Sequence, residues 1–155
     1  MTLTLYRMPA SALHEAGGDP EAIGALLDAD HPQLDLDKGW NGLQFLLTGD
    51  SYLTTGLGAA LMGGEEVGDD LGYGPARWLT PAEVAAVSEE LAGADIDALR
   101  ADWTNEAAEE DGVYPSIWTR EPDAVDTWIV PLVGRLRAFY AEATAAEQGV
   151  LMALL

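Results

Sequence analysis

The stretch Leu34-Asp35-Leu36-Asp37-Lys38-Gly39-Trp40-Asn41-Gly42-Leu43-Gln44-Phe45-Leu46-Leu47-Thr48-Gly49 passes from alternation to helical spacing within a few residues. If Leu34 to Asp37 is extended, Leu34 and Leu36 face one way and Asp35 and Asp37 the other. Asp37 then reads as the N-cap of a helix from Lys38 to Leu47, closed by Thr48-Gly49. Trp40, Leu43 and Leu47 share one face of that helix, because their spacings are helical. The rest of the chain shows the same mixture of short extended runs and amphipathic helices.

Towards the N-terminus, Thr2 to Met8 alternates and reads as a first strand. Pro9 opens a short helix to Ala16, ended by Gly17-Gly18. Asp19 caps a second helix with Ile23, Leu26 and Leu27 inward, and His31-Pro32 breaks it. Towards the C-terminus, Leu57 to Met62 reads as one or two helical turns, and Gly63 to Asp70 as an acidic, glycine-rich loop. Leu71 to Leu79 reads as an irregular or edge strand, because Pro75 cannot donate to a ladder. Thr80-Pro81-Ala82-Glu83 is a strong helix start, with Val84, Val87 and Leu91 as its buried stripe. Gly93 ends that helix. Asp95 caps another from Ile96 to Trp103, and residues 104–112 read as an acidic loop or frayed turn. Val113 to Trp118 is a short apolar segment. Asp123 to Gln148 is the longest helical pattern, in which Pro131 must kink the helix or mark its true start. Gly149 ends it, and Val150 to Leu155 reads as a final buried strand paired with the first. The expectation is one α+β domain over residues 1–155. Its small sheet comes from Thr2–Met8, Leu71–Leu79 and Val150–Leu155, under about five or six helices.

The 155 residues carry 27 acidic and 7 basic side chains, a formal charge of −20. The acids are spread, with 12 in residues 1–78 and 15 in residues 79–155, so this is a surface and not a tail. Nucleic-acid binding is disfavoured, because its affinity comes from Lys and Arg neutralising phosphates. A basic protein would be attracted and steered by such a field. Solubility, or a compositional bias shared across a genome, explains the same charge. With no cysteine, disulfides and thiolate metal sites are excluded. No apolar run approaches the ~20 residues of a membrane span, so no membrane partner is expected. No basic region precedes an apolar one at the N-terminus, which leaves the cytoplasm as the expected compartment.

Three segments together resemble the YfbM-like family of small bacterial proteins. They are Leu34 to Gly49; Gly63-Gly64 through Gly72-Tyr73-Gly74-Pro75-Ala76-Arg77-Trp78-Leu79 and Thr80-Pro81-Ala82-Glu83-Val84; and Val113-Tyr114-Pro115-Ser116-Ile117-Trp118. Their order and spacing fit too, so the likeness runs over nearly the whole chain. It implies an α+β single-domain fold and no activity, since the family has none established. It also implies histidine at the places of Asn41 and Gln44 in many members. This chain has amides there, so any proton transfer or metal binding by those histidines would not carry over.

Three constellations carry possible chemistry. The first is Asp35, Asp37, Lys38, Trp40 and Gln44. Its paired carboxylates can bind a hard cation or share a proton. The simpler reading is that Asp37 caps, Asp35 is solvated and Lys38 offsets the local charge. The second is Gly72 to Trp78, where Tyr73 can stack and Arg77 can fork two bonds to a carboxylate or phosphate. The alternative is a strand whose Arg77 pairs with a surface acid. The third is Tyr114 and Trp118, either interface anchors or core aromatics with a polar handle. No Walker A, GxGxxG, HExxH or GxSxG motif occurs, Asp28 to Gly39 is not an EF-hand, and no cofactor or metal is expected. His14 and His31 are expected on exposed helix ends, without partners for a triad. Two function classes follow. One is a binding module for a small ligand or a basic protein, using the cleft between Asp37–Gln44 and Tyr73–Trp78 or the acidic face. The other is a hydrolase with Asp35 or Asp37 as base and Lys38 and Arg77 holding an anion.

Overall fold

The computed structural model describes residues 1–155. Five strands form one sheet in the order β2-β1-β5-β4-β3, namely β1 (Leu3–Met8), β2 (Gln33–Asp35), β3 (Glu65–Asp70), β4 (Pro75–Leu79) and β5 (Gly149–Leu154). Every pairing is antiparallel. Helices α1 (Ala10–Ala16) and α2 (Pro20–Asp28) cover one face. The other face carries the thicker layer of α3 (Trp40–Thr48), α4 (Ala59–Met62), α5 (Pro81–Gly93), α6 (Ile96–Asp102), α7 (Asn105–Glu110) and α8 (Val130–Ala145). The class is α+β.

Side-chain alternation divides the core in two. Leu3, Leu5, Leu79, Val150 and Met152 point into the thick layer. Tyr6, Met8, Ala76, Trp78, Leu151 and Ala153 point under α1 and α2, where Ile23 closes the smaller core. This explains why β5 lacks alternation: both of its faces are covered, so each position needs an apolar residue. As expected, β5 pairs with β1, in the register Leu5↔Met152.

Most helix starts are as the sequence predicts. Asp19, Thr80 and Asp95 accept the backbone N–H groups of Glu21, Glu83 and Ala98, and Thr80 with Glu83 forms a reciprocal capping box. Pro131 is the second residue of α8 but does not mark the start of the helical run, which already begins at Ala124. It follows one wide π turn, Val125–Ile129, which accommodates the N–H that proline lacks.

Five local expectations are corrected. Residues Glu65–Asp70 form β3 and not a loop. Acidic residues are poor strand formers, but at an edge their carboxylates stay in water and also discourage pairing with another chain. β4 is therefore an inner strand, lying between β5 and β3, and Pro75 is tolerated as its first residue. Residues 105–110 form α7, because Thr104 caps the N–H of Ala107 at 3.1 Å and Ala108 is buried. The long helix stops at Ala145, and Gly149 is already the first residue of β5. Asp37 is not a side-chain cap. It begins a short 3₁₀ turn, Asp37–Gly39, with φ of +48°, and its own N–H donates to Asp35 Oδ1 at 2.7 Å.

Helix α3 is buried on all sides, from Trp40 through Leu47. It ends at Gly49, whose φ of +73° lets its N–H return to the Phe45 carbonyl. Around α3 runs an aromatic row. Phe45 meets Trp103 edge-on at 5.2 Å, Trp103 meets Trp118 edge-on at 5.1 Å, and Trp118 stacks on Trp128 at 6.4 Å. Gly42 lets this row approach the helix. A Cβ there would lie 2.7 Å from Trp118 Cη2 and 2.9 Å from Ile129 Cδ1, both in the closed core. Gly42→Ala is therefore expected to destabilise by about 1–3 kcal/mol despite its better helix propensity. Urea unfolding of the two proteins checks the sign and the size.

Candidate functional site

A cleft opens where the thick helical layer meets the β3–β4 end of the sheet. Leu3, Met152 and Leu154 supply strand walls, Trp40, Leu61 and Met62 supply helix walls, and Glu66, Tyr73 and Arg77 stand with them. Its volume is about 90 Å³. The walls are mainly apolar, and the charged groups come from neighbouring strands.

The charged pair is built by register. Glu66 of β3 stands directly opposite Arg77 of β4. Arg77 Nη1 donates to Glu66 Oε1 at 2.8 Å, Nε to the Gly63 carbonyl at 3.2 Å and Nη2 to the Gly64 carbonyl at 3.0 Å. The arginine thus has the definite acidic partner its rarity suggested, and it also ties the loop before β3 to the sheet. Both side chains keep solvent access, with relative exposures of 29% for Arg77 and 60% for Glu66.

Tyr73 is 58% exposed and sits at the tip of the turn joining β3 to β4. Asp70 shapes this turn, its Oδ1 accepting the N–H of Gly72 at 2.7 Å and of Gly74 at 2.9 Å. Trp40 is 2% exposed, and its indole N–H is buried without a hydrogen-bond partner. Such a donor is uncommon in a folded protein, where most buried polar groups are paired.

The fold therefore brings Trp40, Tyr73 and Arg77 together and leaves the other sequence candidates apart. Asp35, Asp37 and Lys38 do not line the cleft. Asp35 holds the Asp37 N–H through its side chain and accepts Arg135 Nη2 at its carbonyl, 3.3 Å away. Gln44 is fully buried, its Nε2 donates to the Leu53 carbonyl, and its Oε1 has no partner. Asn41 links two loops, donating to the Ser51 carbonyl and accepting the Tyr114 N–H, each at 2.8 Å. Trp118 is a core residue whose indole N–H meets the Val113 carbonyl at 2.8 Å. Tyr114 is half-buried. His14 lies exposed in the last turn of α1 as expected. His31 is half-buried where the chain turns from α2 into β2, and its Nε2 meets no partner. No three His, Asp or Glu side chains are arranged to hold a metal ion, and no helix is long and apolar enough to cross a membrane.

Glu66 and the apolar walls from Leu3, Leu61, Met62, Met152 and Leu154 escaped the sequence reading. The available signal was charge complementarity between a lone arginine and the acids just before it, but only strand register chooses Glu66.

A model of a domain of unknown function, DUF1877, matches residues 1–153. The chain belongs to the DUF1877 family. The family resemblance drawn from the three segments agrees with this. No curated protein matches the chain. Among solved structures, the crystal structure of YfbM from Escherichia coli, a protein of unknown function, aligns with a TM-score of 0.82. That alignment covers 98% of each chain at 22% identity, a likeness of fold alone. The DUF1877 assignment brings no activity with it, so the geometry of the cleft has to carry the functional argument.

The β3–β4 turn yields a pH prediction. The two N–H groups on Asp70 hold its carboxyl below the ordinary carboxylate value. A depressed folded value means the carboxylate favours the native turn above its unfolded value of about 3.9. That contribution is lost as pH falls through the folded value. Carbon-detected NMR titration should place Asp70 below the ordinary aspartate value, and the Gly72 and Gly74 amide shifts should move with it. An ordinary Asp70 titration would contradict the turn geometry.

Proposed function

We propose that this DUF1877 chain is a binding module for a small, mainly apolar ligand held in the Trp40–Tyr73–Arg77 cleft. The observation that carries the reading is Trp40: a buried tryptophan with an unpaired N–H, in the wall of an apolar cleft that also holds an ion pair. Ligand pockets commonly combine apolar walls with a few polar groups that fix orientation. The hydrolase reading asks Asp35 or Asp37 to act as base. Neither lines this cleft, and Asp35 is engaged with the Asp37 N–H, so it is not proposed. The surface charge of −20 favours a basic protein over a nucleic acid as any macromolecular partner, but that is a property of the whole surface and not of the cleft.

The test is thermal unfolding against a panel of small apolar and amphipathic compounds. A ligand at about a hundred times its dissociation constant should raise the midpoint by roughly 5–10 °C. Tyr73→Ala should leave the unliganded stability within about 0.5 kcal/mol, because the side chain is exposed, and should weaken the ligand response. Met62→Trp, which fills the cleft, should abolish it. A response that survives both substitutions would place the ligand elsewhere.

A further inference from the structure

We infer that the ligand of this cleft is a zwitterion with an aliphatic side chain, of which a free apolar α-amino acid is the simplest example. The inference rests on the cleft reading above and adds the charge pattern of the ligand. Glu66 and Arg77 place opposite charges 2.8 Å apart on the wall of a mainly apolar cleft, and both keep solvent access. A guanidinium has five N–H donors. Three of those on Arg77 are engaged, which leaves others for a carboxylate. One Glu66 oxygen accepts from Arg77, which leaves Oε2 for an ammonium. Tyr73, exposed on the same cleft, adds an aromatic ring, a group that attracts an ammonium.

Single charges fit less well. An anion on the free Arg77 N–H groups would lie beside the Glu66 carboxylate, and would enter against a field of −20. A cation would be welcomed by the field but would leave the two remaining Arg77 N–H groups without an acceptor. A zwitterion serves both members of the pair and carries no net charge to be repelled. Size points the same way. An engineered apolar cavity of about 150 Å³ holds benzene, so a cleft of about 90 Å³ suits a smaller, aliphatic group against Leu61, Met62 and Met152.

The experiment is isothermal titration of the full chain with leucine and three analogues. Isocaproate lacks the ammonium, isoamylamine lacks the carboxylate, and isoamyl alcohol lacks both charges. Leucine is expected to bind at least about tenfold tighter than each analogue, since a charge-assisted hydrogen bond is worth more than one factor of ten. Glu66→Gln, at an exposed position, should keep the fold and bring leucine down to the affinity of isocaproate. If an analogue binds as tightly as leucine and Tyr73→Ala weakens it, the zwitterion is overturned and the cleft reading stands. If leucine binds equally well to Glu66→Gln, the ion pair is not its receptor and the inference fails. If none of the four compounds binds, the inference fails, and the wider thermal panel decides the fate of the cleft reading.

Discussion

The sheet depends on β5 lying between β1 and β4. Without that strand, β1–β2 and β3–β4 would be separate two-stranded ribbons, each with an uncovered apolar face and marginal in water. β5 is contributed by the last residues of the chain and β1 by the first. Their ends are locked by reciprocal bonds, Thr2 N–H to the Leu155 carbonyl at 2.6 Å and Leu155 N–H to the Thr2 carbonyl at 2.9 Å. The two faces of β5 then organise separate cores, and most of the helical layer is placed by what it packs against there. Loss of apolar character at Val150 or Met152 would strike the thick layer, and at Leu151 or Ala153 the smaller core, because all four positions are buried.

The thick layer is held together by a second set of constraints around α3. Trp118, Trp103 and Phe45 fill the space beside it, and Asn41 bonds two loops that have no regular structure of their own. Ser51 adds to this through its hydroxyl, which donates to Asp111 Oδ2 at 2.6 Å. Arg137 of α8 bonds the carbonyls of Leu91 and Ala94 at 2.8 and 2.7 Å, satisfying the end of α5, which lacks a left-handed cap. Tyr140 donates to the Ala60 carbonyl at 2.7 Å, and its burial pushes the hydroxyl pKa far up, keeping it a neutral donor. These contacts fix α3 and α4 against the sheet, and so fix Trp40, Leu61 and Met62 as cleft walls.

Scarce cations are used as construction. Each of the six arginines donates to a carboxylate, a side-chain amide or a backbone carbonyl within the chain. The forked guanidinium suits several acceptors at once, which a point-charge ammonium does not. Exposed pairs of this kind contribute little each to stability. Arg77 is the case with more to offer, because its pair lies in the wall of a cleft.

Local sequence sets the helix caps at Asp19, Thr80 and Asp95, an interruption of the last helical pattern at Pro131, and the first and last strands in chain order, β1 and β5. These depend on local hydrogen bonding and on contiguous apolar patterning, which are written within a few residues. It also showed that Trp40, Tyr73 and Arg77 were chemically interesting. Tertiary structure alone decided that Glu65–Asp70 is a strand and that β4 is internal, because each exists through strand pairing that overrides weak local preference; in α7 burial of Ala108 joins the local Thr104 cap. It alone separated Trp40 from Asp35, Asp37 and Gln44, residues adjacent in sequence. Trp40 turns into the cleft wall, Gln44 is consumed by the Leu53 carbonyl, and the aspartates face water. Strand register, which no local pattern specifies here, is what set Glu66 opposite Arg77.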